Sequence, residues 1–220
     1  MTDRVSTLLR GLGLTAAAIA YAVVAHATNV SPGERPLGVI LALGPLLGLA
    51  VALTWRTAYR IPCLCFCLLI CGAVVRYWPL FTAYSAWIYL IQQCATYIFL
   101  GLMFGASLLQ GRTPLCTRFA SLVHGPLAPA VVSYTRSVTW VWAVFFVVLT
   151  LILIVLFVVA PLSVWSLFAN FCTLPLIVAV FVVEYLVRRR VLPDMRHAGI
   201  LEGVRAFFNL PGNAAIARRR

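Results

Sequence analysis

The chain has 220 residues, of which 63% are hydrophobic and 10% charged. So few polar side chains cannot cover a water-soluble domain of this length, which excludes a soluble enzyme or binding module and leaves a chain built for the bilayer. The formal net charge is +12, carried by 17 basic residues, all arginine. This charge lies beside apolar runs and no nucleic-acid motif occurs, so anionic lipid headgroups are the expected partner and nucleic acid is not.

A membrane-crossing helix needs about 20 mainly apolar residues. The pattern predicts an all-α integral membrane protein with six spans, over 11–27, 37–54, 61–75, 80–109, 138–160 and 163–187. The first ends at the loop "NVSPGERP", the second is followed by "WRTAYR", and the third is short and stops before "RYWP". With a cytoplasmic N-terminus, six spans put every arginine except Arg35 and Arg76 on the cytoplasmic side, as the positive-inside rule requires. Both termini are then cytoplasmic. The opening "MTDRVSTLLR", its apolar run and "AHA" also have the outline of a cleavable signal peptide. Retention of this segment is expected, because its removal would leave an odd number of spans.

Short loops between spans predict an antiparallel bundle. "GPLLG" (Gly44–Gly48) and "GLMFG" (Gly101–Gly105) allow close helix approach, and packing within one chain is preferred to dimerisation. No internal repeat supports an inverted-repeat transporter. In "CLCFCLLIC", Cys63, Cys67 and Cys71 share one helix face. No histidine or acid stands near them, so they read as small core hydrophobes rather than metal ligands. No cofactor motif is present.

Polar residues inside spans are costly unless paired. Gln92, Gln93 and Thr96 fall in the fourth span, Asn170 and Thr173 in the sixth. At 1.5 Å per residue Gln92 lies roughly 18 Å and Asn170 roughly 12 Å from the outer surface. Gln92, Gln93, Asn170 and Thr173 therefore form a candidate intramembrane pocket, with interhelical hydrogen bonding as the plainer account. Pro175 removes the helical donor of the Phe171 carbonyl and predicts a kink there.

The stretch "GRTPLCTRFASLVHGPLAPAVVSYTRSVTW" is the most polar part of the middle of the chain. Residues 110–137 read as a cytoplasmic interfacial loop. Within it Thr113 suits a helix cap and Pro114 a first turn. Leu115, Phe119 and Leu122 then share an apolar face, Arg118 and Ser121 lie off it, and Gly125–Pro126 ends the helix. Tyr134 and Trp140 suit the interface belt. His124 is a candidate acid–base residue, although no acid adjoins it and no triad signature is present.

Glu184 is the one acid within a predicted span. Arg188 follows at the favourable ion-pair spacing, and Arg112, Arg118, Arg136 and His124 are further candidate neighbours. Arg188, Arg189 and Arg190 mark the membrane exit. Residues 191–220 form a basic cytoplasmic tail, in which Ile200, Leu201, Val204, Phe207 and Phe208 predict a second amphipathic helix.

Three stretches, "GRTPLCTRFASLVHGPLAPAVVSYTRSVTWVWAVFF", "WSLFANFCTLPLIVAVFVVEYLVRRR" and "ILEGVRAF", resemble a family of bacterial inner-membrane proteins. Its genes stand beside the type II fatty-acid-like enzymes of aryl polyene synthesis, and some members carry the label ketosynthase. The resemblance covers roughly residues 105–208. It rests on Gly111, Arg112, Pro114, His124, Gly125, Tyr134, Thr135, Arg136, Asn170, Glu184, Tyr185 and Arg188. The cysteine–histidine–histidine machinery of a soluble ketosynthase is missing, so that label is rejected. What the resemblance implies is a setting in acyl or polyene lipid assembly at the cytoplasmic membrane.

The expected function is that of an inner-membrane accessory protein rather than an enzyme. It would seat cytosolic acyl-chain enzymes, or their product, at the membrane. Arg112, Arg118, Arg136 and Arg188–Arg190 are the candidate contacts for lipid headgroups, acyl carrier protein or ketosynthase-type partners. A lipid-modifying enzyme or flippase using His124 and Glu184, or the intramembrane pocket, is the alternative. A purely structural membrane subunit is the third reading.

Overall fold

The computed structural model describes residues 2–55 and 60–192, and all regular structure among them is helical. Nine α-helices follow in order: α1 Thr2–Val30, α2 Arg35–Thr54, α3 Arg60–Arg76, α4 Trp78–Ala83, α5 Ser85–Ala106, α6 Leu115–His124, α7 Pro129–Val159, α8 Leu162–Leu167 and α9 Thr173–Val191. A 3₁₀ turn, Pro32–Glu34, precedes α2, and a π-helical turn, Phe168–Cys172, joins α8 to α9. The predicted tail helix, the tail beyond Leu192 and most of the "WRTAYR" loop lie outside the described residues.

Among the described residues, four helical segments are long and apolar enough to cross a membrane: Arg35–Thr54, Ser85–Ala106, Pro129–Val159 and Leu162–Val191. The remaining two expected spans are shorter. The apolar part of α1 is Thr15–Val30. Helix α3 has 17 residues, which at 1.5 Å per residue cover about 25 Å of a hydrocarbon core about 30 Å thick. Many large apolar side chains are exposed along all these helices, including Leu53, Leu68, Ile91, Leu102 and Val158. Lipid is the solvent that suits such a surface.

Several boundaries differ from the sequence pattern, each for a local reason. Helix α1 runs on to Val30 because Ser31 N–H still reaches the Ala27 carbonyl, while Thr28 and Asn29 side chains donate to the carbonyl of Ala25. The predicted span over 80–109 is interrupted at Tyr84. Just before it, the Thr82 hydroxyl bonds back to the carbonyls of Trp78 and Pro79, an arrangement that bends helices. Its far end is reached at Ala106, where tighter turns bond Ser107 N–H to Phe104 and Leu108 N–H to Gly105. Helix α7 starts at Pro129, well before the predicted 138, so "SYTRSVTW" is helix rather than loop. A proline is well placed to open a helix, since its missing N–H is one the first turn leaves unpaired anyway.

The chain forms two compact units, Met1–Ala95 with Ile152–Pro175, and Thr96–Leu151 with Leu176–Arg220. The core of the first is built on Ala25, Val39, Ala42, Leu153 and Trp165. Gly38 is the close-approach glycine there: a Cβ on it would lie 3.3 Å from Thr28 Cβ and 3.6 Å from Tyr89 Cε2. The second unit is centred on Trp142, Phe146 and Leu149, with the Phe104 and Phe181 rings 6.1 and 4.6 Å from Trp142. Of the two GxxxG motifs, Gly101 serves packing within the chain, since a Cβ on it would lie 3.5 Å from Phe146 Cβ; a Cβ on Gly44, Gly48 or Gly105 would meet nothing within 4 Å among the described residues.

Candidate functional site

In the first unit, polar side chains gather around the start of the π-helical turn. His26 comes from α1, Ser166 from α8, Asn170 from the turn and Gln93 from α5. His26 Nδ1 is 3.0 Å from Ser166 Oγ. Asn170 Nδ2 donates to the Ser166 carbonyl at 2.8 Å and to Ser166 Oγ at 3.2 Å. Ser166 is 0% exposed, whereas His26 and Asn170 are half-buried. The His26 ring meets Phe171 edge-on at 5.8 Å.

The π turn has a physical basis in its neighbours. Pro175 cannot donate to the Phe171 carbonyl, so the backbone ladder is already broken there. Two residues earlier, Thr173 Oγ1 donates to the Ala169 carbonyl at 2.9 Å, and Gln93 Nε2 donates to the same oxygen at 3.4 Å. The π turn, Phe168–Cys172, includes the carbonyl that Pro175 leaves without its helical donor. Such turns concentrate at functional sites.

Of the four predicted pocket residues, the structure brings Gln93, Asn170 and Thr173 to this turn. Gln92 lies half-buried beside Gln93 on α5. Sequence reasoning missed His26 and Ser166. The signal was available, since His26 is a polar residue in an apolar helix, but "AHA" drew attention as a cleavage pattern.

The second unit holds the charged site. Glu184 Oε1 is 3.5 Å from Arg188 Nε, the expected ion pair. Tyr134 Oη donates to Glu184 Oε1 at 3.3 Å and to its backbone carbonyl at 3.1 Å. The other candidate neighbours are employed elsewhere. Arg136 donates to the Leu108 carbonyl at 3.3 Å, and Arg112 and Arg118 are exposed. Among the described residues His124 makes no hydrogen bond or ion pair, and the partners of Glu184 are Tyr134 and Arg188. Arg188 and Arg189 lie over the Tyr185 ring at 5.7 and 5.8 Å, and Arg190 is exposed.

Helix α6 exists as predicted from Leu115, but Thr113 is not its cap. Pro114 occupies the cap position and offers no side-chain acceptor. Two distant hydroxyls replace it: Ser107 Oγ accepts Leu115 N–H at 3.0 Å and Thr139 Oγ1 accepts Cys116 N–H at 3.3 Å. Thr117 is buried and its hydroxyl pairs with that of Thr135 at 2.7 Å. The helix therefore turns Cys116, Thr117 and Ala120 inward, and burial pushes the Cys116 thiol up from its ordinary value. Its outward face carries Phe119 and Leu122, 48% and 45% exposed, with Arg118 beside them.

Of the cysteines singled out in α3, Cys67 is buried, Cys63 half-buried, and Cys65 and Cys71 exposed. Among the described residues no group of three or more His, Cys, Asp or Glu side chains converges. Comparison with protein families, with curated proteins and with solved structures gave no match.

Proposed function

We propose that this chain is a six-span accessory protein of the bacterial inner membrane, with both termini cytoplasmic. It seats acidic partners of acyl-chain or polyene assembly, of the acyl carrier protein or ketosynthase type, at the membrane surface. In this reading the apolar part of α1 and the 17-residue α3 join the four long helices. Arg60 and Arg76 at the ends of α3 snorkel toward headgroups, and the bilayer thins to meet its length.

The observation that carries the reading is the outward face of α6. Phe119 and Leu122 point away from the protein with Arg118 beside them, as in a helix lying in the headgroup layer. Arg112, Arg118 and Arg190 are exposed and make no ion pair among the described residues, while Arg188 is committed to Glu184. A cationic rim next to an apolar anchor suits an acidic protein docking onto the bilayer. The resemblance to the inner-membrane family supplies the acyl-chain setting.

The test is recruitment of an acyl carrier protein to proteoliposomes holding the full chain. Arginine near such a surface contributes about 1 kcal/mol, so the Arg112→Glu/Arg118→Glu double variant should weaken recruitment by about 30-fold. Unchanged recruitment by a variant that still inserts would refute the proposal.

A further inference from the structure

The His26 network fixes the orientation of its amide. Asn170 Nδ2 donates to the Ser166 carbonyl at 2.8 Å, and a carbonyl can only accept, so the amide orientation is set. The same Nδ2 then donates to Ser166 Oγ at 3.2 Å, and Ser166 Oγ also pairs with His26 Nδ1, 3.0 Å away. A hydroxyl has a proton and a second lone pair to offer, so Nδ1 is engaged in either tautomer. Ser166 is fully enclosed whereas His26 is half-buried. The network thus ties down Nδ1 and leaves Nε2 as the ring nitrogen without a partner among the described residues.

Buried polar atoms without a partner among the described residues occur in the same unit. Trp165 Nε1, beside Ser166, is a buried donor without a partner among the described residues. Asn29 Oδ1 and Gln93 Oε1 are buried acceptors in the same condition. Asn29 is three residues from His26 and so shares its face of α1, and Gln93 reaches the Ala169 carbonyl next to Asn170. Each such atom costs about 1–3 kcal/mol when unsatisfied. Serine, asparagine, glutamine and tryptophan carry no charge, so a charged head entering here would find no counter-charge among them and its desolvation would go uncompensated.

We propose that His26, Ser166 and Asn170 form a binding site for the uncharged hydroxyl- or carboxyl-bearing head of a lipid-soluble molecule, whose OH group pairs with His26 Nε2. A hydroxyl both accepts and donates, so it complements a site holding unused donors and acceptors. An apolar chain attached to it lies along the exposed apolar helices of the same unit. This site is independent of the arginine surface.

Photo-crosslinking in vesicles tests it, with the full chain and three diazirine probes of equal chain length: a fatty alcohol, an alkyl phosphate and a plain hydrocarbon. The alcohol should label peptides containing His26 or Ser166–Asn170 about tenfold more than the hydrocarbon, the effect of roughly one to two hydrogen bonds. His26→Ala and Ser166→Ala should abolish the preference, His26→Gln should retain part of it through its amide donor, and Cys65→Ser should leave it intact. Equal labelling by alcohol and hydrocarbon overturns the site, as does stronger labelling by the phosphate or an unchanged preference in His26→Ala. The probe series on the native chain decides the matter even where a variant fails to fold.

Discussion

The polar clusters of the two units are buried to different degrees. In the first, the cluster is built on the hydroxyl of Ser166, 0% exposed, with His26 and Asn170 half-buried beside it. In the second, the ion pair of Glu184 and Arg188 sits in the last turns of α9, with side chains 19% and 23% exposed. The difference follows from desolvation. A neutral hydroxyl or amide can be enclosed once its partners are made, whereas an enclosed ion pair must recover several kcal/mol per charge. The charged residues stay where water or headgroups reach them, and the uncharged ones form the interior.

The largest expected effect is on the enclosed side. Trp165→Ala removes a fully buried ring that packs on Phe157 at 5.1 Å and should cost about 3–5 kcal/mol, read as a lowered Tm in detergent. Next comes a paired test of the contrast itself. Ser166→Ala strips partners from both His26 and Asn170 and should cost about 1–3 kcal/mol, while Glu184→Gln, at a partly solvated site that keeps an acceptor for Tyr134, should cost about 1 kcal/mol or less. Equal losses in the two variants would erase the distinction between the units. The smallest effect belongs to Thr139→Val. Removing the hydroxyl that accepts from Cys116 should cost about 0.5–1 kcal/mol and speed hydrogen exchange at the Cys116 amide, with little change in Tm.

Much of this was legible along the chain. The apolar runs located the helices, the Glu184–Arg188 spacing announced an ion pair, and Gln93, Asn170 and Thr173 were marked as polar residues needing partners. Those features are local, or follow from the cost of polar atoms in an apolar setting. The capping of α6 was not legible, because Ser107 and Thr139 lie outside the turn they serve and no nearest-neighbour rule connects them. The same holds for Tyr134 on Glu184, joined across fifty residues. GPLLG was read as packing within the chain, yet close approach falls to Gly38, a position no motif distinguishes.

By itself, then, the sequence determined the helical class and the distribution of charge, since these depend on composition and on periodicity along one chain; of the six spans it predicted, four are long and apolar enough among the described residues. Only tertiary structure decided that His26 meets Ser166, that a π turn precedes Pro175, and that Tyr134 meets Glu184. Each of these depends on which helices pack face to face. A histidine, a serine and an asparagine at positions 26, 166 and 170 become one hydrogen-bonded unit only when α1 is laid against α8 and the turn that follows it.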